Sequence, residues 1–433
     1  MRLHLRSLVE RLRASLFFLP MVGVLAGAAA GQLGVTLDRR VDDPANDLPV
    51  DLASTVESAR ALLSTIAGAT ITFAGIAFSI SMLTIQMASS QYSPRVVHTL
   101  FRDPFNRRVM AVVVGTFTYS LMVLRAVRSA TEEGGEAFVP SLSVALAVAL
   151  GIATILAVVA FISHSAHAMD VSQILEKVRR DAADQIRREW REVDGEPEPL
   201  ADPEESPDDG CVLRFDRTGW VQALDHEQLL DALPPGTTLH LRTYPGRYAV
   251  EGAALGIAVP PPDDPPAVAR AACAALALGD TRTMQQDVSY GLRQLADVAL
   301  RALSPGINDP TTAQDAIFHS AAVLGELLVR DPPPRTVTAD DGRRLMLPEM
   351  PTHQDLVGLA YDELRRAAVA HPTVCVYLLE SLSLLTELVG ARGLPDREGP
   401  LREQARLVVA GCEAAELLPH DLRVVEGAFR ARF

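Results

Sequence analysis

The residues best suited to chemistry in this chain surround a short segment, ALSPGINDPTTA, at positions 302–313. Hydroxyl and amide side chains gather where a predicted helix begins, and helix N-termini bind anions through free backbone N–H groups. The segment therefore offers a site for an anion or polar ligand, or a contact with another subunit. The candidate residues, here and on the preceding helix, are Arg282, Gln286, Asp287, Arg293, Ser304, Asn308, Asp309, Thr311 and Thr312.

The same segment is also explained as a corner between two helices. Pro305 prevents the first helix from continuing, and Gly306 suits the left-handed conformation that ends it. Asp309 suits the N-cap of the next helix and Pro310 its first position. Because an Asp cap opposes a bound anion, a corner that serves as an interface is the favoured interpretation, with ligand binding as the alternative.

Motifs for catalysis and metal binding are missing from the sequence. It contains no HExxH, GxSxG or phosphate-binding loop and no CxxC pair. The isolated cysteines, which are most often small core residues, are Cys211, Cys273, Cys375 and Cys412. His164 and His167 supply only half of a zinc site, and we interpret them as a solvated pair at the membrane interface. We predict no catalytic residues, no metal and no cofactor.

A second candidate site lies in an apolar stretch at residues 61–88. Small and polar residues recur there at spacings that place them on one helical face: Ser64, Gly68, Thr72, Gly75, Ser79 and Gln86. Close helix packing explains such a face, because small residues let membrane helices approach. The alternative is a polar pathway in an oligomer. The lack of charge within the stretch favours a pore or gate over a proton relay.

Four apolar segments of about 20 residues predict the helices that position these residues in a membrane. They are residues 15–35, 61–88, 109–124 and 141–162, with an acidic loop, LDRRVDDPANDLPVDL, after the first. Basic residues precede the first segment, separate the second from the third and follow the fourth: Arg2, Arg6, Arg11, Arg13, Arg95, Arg102, Arg107, Arg108, Lys177, Arg179 and Arg180. By the positive-inside rule, both termini are cytoplasmic in a multi-pass protein of the cell inner membrane.

The overall charge narrows the range of partners. A net charge of −14 and a pI near 5.2 argue against a nucleic-acid partner, which would need a basic surface to displace counterions. The expected partners are the lipid bilayer, further copies of the chain in a homo-oligomer, and a small ligand or protein of unknown identity.

The predicted fold is that of a mainly α membrane protein with a cytoplasmic α+β region. Residues 1–168 are expected to form a four-helix transmembrane domain, and residues 169–210 a charged helix with an acidic, proline-rich linker. Residues 211–262 form a small β module, and residues 263–433 a helical bundle that carries the SPGINDP motif.

Within the β module, a hairpin resembling those of barrel-sandwich domains is expected. Gly246 and Gly252 would make its turns, and Val250 and Leu255 would lie on its strands. Lipoylation is implausible because the hairpin contains no lysine.

Three strings carry a resemblance to a known family: SSQYSPR, GWVQALD and the long TRTMQQDVSYGLRQLADVALRALSPGINDPTTA. Through them the chain resembles the bacterial predicted membrane proteins of domain-of-unknown-function family 2254, over nearly its entire length. The resemblance implies an architecture, a multispan N-terminal part followed by a cytoplasmic domain. It supplies no catalytic residues.

Two kinds of function are consistent with these patterns. The first is an oligomeric ion channel, lined by the second transmembrane helix and assembled or gated by the cytoplasmic domain. The second is a non-conducting sensor or scaffold that binds a ligand or protein through the cytoplasmic bundle. An enzyme ranks below both, because the polar residues form no recognisable catalytic set.

Overall fold

The computed structural model describes residues 18–41, 55–91, 104–128, 138–167, 170–193 and 209–433. The chain forms two compact units, Met1–Asp170 and Val171–Phe433. Several predicted features lie outside the described residues: most of the acidic linker, the side chain of His167, and the orientation signals Arg2, Arg6, Arg11, Arg13, Arg95 and Arg102.

Four long apolar helices make up the described part of the first unit. They are α1 (Phe18–Val41), α2 (Val56–Gln91), α3 (Pro104–Ala126) and α4 (Ser141–His167). Each is long and apolar enough to cross a membrane. α1 continues through Asp38, which the sequence placed in a loop, and α2 begins at Val56, ahead of the predicted residue 61.

The four helices alternate in direction. Gly23 lies against Ala111 and Gly31 against Met122, so α1 and α3 run parallel. The contacts that place α2 and α4 antiparallel to α3 are Arg60–Val127, Tyr119–Ser143 and Phe105–His164. The first unit is therefore an up-and-down arrangement in which α3 contacts the other three helices.

Glycines bring the backbones of α1 and α3 into contact. A Cβ atom at Gly23 would lie closer than 3.0 Å to the carbonyl oxygen of Ala111, and one at Gly27 would lie as close to that of Gly115. Small residues four apart form one face of a helix and allow this approach in membranes. The contact was not predicted, although the four-residue spacing of the glycines is visible in the sequence.

Asp38 links the end of α1 to the beginning of α4. Its buried carboxylate accepts hydrogen bonds from the backbone N–H groups of Leu142 (3.0 Å) and Ser143 (3.1 Å) and from the Ser143 hydroxyl. These N–H groups belong to the first turn of α4 and have no partner within that helix. Asp38 thus caps α4 from a neighbouring helix, which explains why α1 extends beyond its predicted end.

The second unit combines helices with short strands. Its helices are α5 (Val171–Glu189), α6 (His226–Asp231), α7 (Pro265–Ala274), α8 (Val288–Ala302), α9 (Pro310–Leu328), α10 (His353–Ala368), α11 (Pro372–Ala391), α12 (Glu398–Ala414) and α13 (Pro419–Arg432). Its strands are β1 (Arg191–Glu192), β2 (Cys211–Arg214), β3 (Gly219–Leu224), β4 (Thr238–Leu241), β5 (Tyr248–Ala249), β6 (Ala254–Val259), β7 (Leu276–Gly279), β8 (Arg330–Asp331), β9 (Thr336–Thr338) and β10 (Arg344–Met346).

The described strands form three sheets. The largest has the order β2-β6-β4-β10-β9, a second has the order β5-β3-β7, and β1 pairs with β8. All pairs are antiparallel except β4 with β10. The two larger sheets share one apolar core, which includes Leu213, Leu229, Leu239, Leu255 and Leu345.

The β region differs from its prediction in two ways. It does not end at residue 262: β7, which lies in the region predicted as a helical bundle, pairs with β3, and β9 and β10 extend the larger sheet. These late strands cover edges that would otherwise expose unpaired backbone groups. The predicted barrel-sandwich hairpin is also absent there, because the turn at Gly252 (φ +81°) sends β5 and β6 into different sheets.

The helix α5 belongs to the helical bundle. Its apolar stripe, which includes Ile174, Leu175, Val178 and Ile186, is buried, and the helix packs on α8 and α9. The charged helix predicted within residues 169–210 is present at Val171–Glu189. It packs within the bundle, because an apolar stripe of this width needs cover from other helices.

A fifth apolar helix lies in the second unit. By length and composition α11 is also able to cross a membrane. However, 56% of its most apolar stretch is buried, compared with 17–33% for α1 to α4. It packs against α9, α12 and α13, and buries Leu378, Leu382, Leu385 and Val389.

The contact between α1 and α3 yields a first prediction. Replacing Gly27 with Leu forces a side chain into the Gly115 backbone, and we expect a loss of about 1–3 kcal/mol or more of stability. The measurement is the unfolding temperature of the detergent-purified chain. Ala26→Leu is the matched control, because Ala26 is exposed on the same helix and its substitution should change little. Equal unfolding temperatures for the two variants would contradict the contact.

Candidate functional site

Asp287 is the centre of the polar contacts around the predicted ligand site. It is buried, caps α8 and accepts a hydrogen bond from Tyr290 N (3.2 Å). Arg282 donates to it through Nε and Nη2, and Ser289 Oγ donates at 2.6 Å. The Arg282 guanidinium also lies over the Tyr290 ring, 5.2 Å from its centroid. The buried carboxylate is therefore fully hydrogen-bonded, and Arg282 compensates its charge.

The turn before β5 packs directly on this ion pair. Gly246 has a φ of +93°, and a Cβ atom there would lie closer than 3.0 Å to Asp287 Oδ2 and 3.1 Å from Arg282 Nη2. A positive φ and the lack of space both require glycine at this position. The turn of the β region is thereby fixed against the first turn of α8.

Gln286 forms a second link between the same two regions. Its Oε1 accepts a hydrogen bond from Leu224 N (2.7 Å), and its Nε2 donates to Leu224 O (3.2 Å). This amide supplies β3 with the pair of bonds that a neighbouring strand would supply. Arg282, Gln286 and Asp287, the predicted ligand contacts, are thus engaged with the protein itself.

Arg293 joins two helices of the bundle. From α8 it donates to Asp297 Oδ1 (2.8 Å) on its own helix and to Glu363 Oε1 (2.7 Å) on α10. The hydrogen bond with Glu363 is the main cause that raises the pKa of Arg293. Its role in the structure is to hold α8 and α10 together.

Asp309 forms the start of α9 as predicted. It is the N-cap, Pro310 follows it at the first helical position, and its carboxylate accepts from Thr312 N (3.1 Å) and Thr312 Oγ1 (2.6 Å). The bond from the Thr312 hydroxyl is the main cause that lowers the pKa of Asp309. A negative carboxylate therefore already occupies the helix N-terminus that an anion would need.

The left-handed residue of this corner is Asn308, not Gly306 as predicted. Asn308 has a φ of +50°, whereas Gly306 does not have a positive φ. Asn308 N donates to Ser304 O (2.9 Å), which closes a turn beyond α8, and Asn tolerates the left-handed region better than most residues. Ser304 Oγ donates to Arg301 O (2.7 Å). Asn308 and Thr311 are exposed at the tip of the corner.

The predicted membrane site has a different environment. We call Ser64, Gly68, Thr72, Gly75, Ser79 and Gln86 the polar face of α2, and all six residues are exposed on the first unit. A Cβ atom added at Gly68 or Gly75 would meet nothing within 4 Å. The opposite side of α2, which includes Leu63 and Ala67, is buried, and the helix packs against α3 and α4.

The hydroxyls of the polar face bond within their own helix. Thr72 Oγ1 donates to Gly68 O (2.8 Å), and Ser79 Oγ donates to Gly75 O (3.0 Å). Each hydroxyl oxygen keeps lone pairs that point away from the helix. The face therefore lacks unpaired donors at these two positions, while it presents small side chains and acceptors to its surroundings.

A groove in the second unit was not predicted. It has a volume of about 930 Å³ and lies between α9 and α11, beside the strands β1 and β8. Phe318, Leu384, Leu385 and Leu388 supply apolar surface. Four charged residues also line it: Glu192, Glu326, Arg330 and Arg392. Its residues come from separate parts of the sequence, so no local motif predicts it.

A metal site is not present in the part of the chain that the structure describes, where no three His, Cys, Asp or Glu residues are grouped to hold an ion. His164 packs its ring against Phe105, with 4.6 Å between the ring centroids.

Cys375 and Cys412 lie together in the structure, with 3.4 Å between their sulfur atoms. Their spacing in the sequence did not predict this contact.

Two aspartates cap neighbouring helices in the same geometry but with different partners. Asp287 and Asp309 cap α8 and α9 with the same backbone angles (φ −114°, ψ 86°), but only Asp287 is paired with an arginine. Asp309→Ala should cost about 1 kcal/mol, the usual loss of a cap. Asp287→Ala should cost about 3–5 kcal/mol, because it leaves the Arg282 charge without its partner. Thermal unfolding of the full chain measures both, and equal losses would show that the ion pair adds nothing.

Comparisons with known proteins place the chain among predicted membrane proteins. The family described as "Predicted membrane protein (DUF2254)" matches residues 13–383. Uncharacterized proteins of Mycobacterium bovis and of two Mycobacterium tuberculosis strains are each 29% identical over 440 residues, covering 98% of this chain and 81% of their own. No solved structure matches the chain significantly.

The family match extends over both units and most of the chain. With its several apolar helices, the protein is a multi-pass integral membrane protein. It belongs to the family of predicted membrane proteins known as domain of unknown function 2254.

Proposed function

We propose that this protein is a homo-oligomer of the cell inner membrane in which the polar face of α2 lines an ion-conducting pore. In this proposal α1 to α4 cross the membrane, and α11 is a core helix of the second unit. The most apolar stretch of α11 is 56% buried, more than that of any of α1 to α4, which supports that assignment.

The observation that carries the proposal is the exposure of the whole polar face after the first unit has packed. The face lies opposite the buried side of α2, so no helix described in the same unit covers Gly68 or Gly75. Small residues at such spacing are typical of contacts between membrane helices. Another copy of the chain, approaching the same face, would complete the packing.

The polar side chains on this face are better solvated by water than by lipid. The Gln86 amide is exposed two residues beyond the apolar span Val56–Thr84, near the end of α2. The hydroxyl oxygens of Thr72 and Ser79 retain acceptor capacity for water or a cation. The face has no charged residue, which fits a conducting lining better than a proton relay.

The proposed orientation places both termini in the cytoplasm. Alternating helix directions and four crossings return the chain to the side from which it began. Arg107 and Arg108 lie at the start of α3. The positive-inside rule assigns this side of the first unit to the cytoplasm. The second unit would then assemble or gate the pore from the cytoplasmic side.

The groove between α9 and α11 favours a second candidate function, a non-conducting sensor or scaffold. Its volume of about 930 Å³ is within the range of small-molecule sites, and it combines apolar surface with charged groups. In that case the polar face of α2 would be a packing contact without a water-filled path.

Cysteine cross-linking tests the oligomer. Ser79→Cys is compared with Phe78→Cys, which is exposed at nearly the same depth but about 100° around the helix. Both variants carry Cys211→Ala, which removes the native cysteine that is partly exposed. In membranes treated with an oxidant, we expect disulfide-linked dimers with Ser79→Cys and at least about tenfold fewer with Phe78→Cys, because only the first lies on the proposed contact. Equal cross-linking would remove support for the face.

Ion flux through liposomes that contain the purified chain tests the pore. We expect flux that is blocked when a charged, water-soluble thiol reagent modifies Ser79→Cys, while Phe78→Cys, facing lipid, stays unaffected. Cross-linking without flux under any voltage, tension or pH would support the scaffold. A monomer without flux would contradict both the oligomer and the pore.

A further inference from the structure

Two cysteines that are distant in sequence meet in the helical bundle. Cys375 is in the first turn of α11, and Cys412 is in the last turn of α12. Their sulfur atoms are 3.4 Å apart, and both side chains are buried. Cys273 is buried elsewhere, in the core of the β region, and Cys211 is partly exposed on β2. The native thiols are therefore not equivalent, and two of them form a pair.

The two sulfur atoms form a hydrogen-bonded chain with one backbone carbonyl. Cys375 Sγ donates a hydrogen bond to the backbone oxygen of Ala368 (3.3 Å), the last residue of α10. Cys412 Sγ in turn donates to Cys375 Sγ. The shared bond lowers the pKa of Cys412, whereas the same bond together with burial raises that of Cys375. A thiolate at Cys412, the reactive form, would lie within hydrogen-bonding distance of the Cys375 thiol.

We propose that Cys375 and Cys412 are a reversible oxidation site, at which a peroxide converts the two thiols into a disulfide that links α11 to α12. The proposal is separate from pore formation. Only its setting depends on the orientation proposed above: in the cytoplasm the pair would rest as dithiol and form the disulfide under oxidative stress.

The reaction balances with hydrogen peroxide as the oxidant. The Cys412 thiolate attacks one peroxide oxygen, the O–O bond breaks and hydroxide leaves, which gives a sulfenic acid on Cys412. The sulfur of Cys375 then attacks the Cys412 sulfur. The S–S bond forms, the S–O bond breaks, and water leaves with the Cys375 proton. In total, two thiols and one peroxide yield one disulfide and two waters.

The position of the pair makes this reaction accessible without global unfolding. Both cysteines lie within one turn of a helix end, and helix ends open locally at a lower free energy than helix centres do. The sulfur atoms must approach by only about 1.4 Å to reach a disulfide bond length. The new bond would close a loop between residues 37 positions apart, which constrains the unfolded chain.

The test uses the full chain, purified in detergent and treated with hydrogen peroxide, all in a Cys211→Ala background. We expect a product lighter by two hydrogen atoms, a cross-link between the peptides that contain Cys375 and Cys412, and reversal by dithiothreitol. The unfolding temperature should rise by roughly 5 °C or more. Cys375→Ser and Cys412→Ser should abolish these changes. Cys273→Ser is the matched control, because it removes a buried cysteine outside the pair, and it should preserve them.

Two results would overturn the proposal. One is a folded protein in which peroxide leaves both thiols free. The other is a cross-link that forms only after the chain has been unfolded with denaturant. Peptide mapping of the Cys211→Ala protein gives this answer even where a serine variant fails to fold.

Discussion

Backbone contact between α1 and α3 is the constraint on which the arrangement of the first unit depends. In a membrane, burying an apolar side chain between helices gains little over leaving it in lipid, so close packing and hydrogen bonds must hold helices together. Gly23 and Gly27 provide the close packing, and the helix they fix, α3, also contacts α2 and α4. Once α1 is in place, Asp38 reaches the first turn of α4 and satisfies its free N–H groups. Small residues thus hold α1 against α3, and one carboxylate joins the end of α1 to the start of α4.

The second unit depends on a different interaction, the ion pair of Arg282 with Asp287. Around it meet the first turn of α8, the turn at Gly246 and, through Gln286, the strand β3. The long string that carries the resemblance to the family therefore has a structural explanation: it joins the β region to the helical bundle. Arg282, Gln286 and Asp287, three of the residues whose types suggested a ligand site, are occupied by this assembly. Asp309 likewise fills the helix N-terminus that it caps.

Local features of the fold were predictable, while partners across the fold were not. The four apolar helices, the Asp309 cap and Pro310 follow from composition and capping preferences that act over a few residues. The strand β7 was included in the predicted helical bundle, because its conformation depends on pairing with β3, more than 50 residues earlier in the chain. The groove beside α11 and the pair of Cys375 with Cys412 need the packed bundle, and no spacing in the sequence encodes it.

Glycines on α1 and α2 show why composition alone could not identify the face open to partners. Both helices have small residues at spacings that suit close packing, and the sequence singled out α2. In the folded unit Gly27 is in contact with a neighbouring backbone, while Gly68 and Gly75 meet nothing. The small residues of α1 pack against α3 within the protomer, whereas those of α2 remain exposed. An association surface is therefore a property of the packed unit, since it consists of the small residues that remain after the internal contacts have formed.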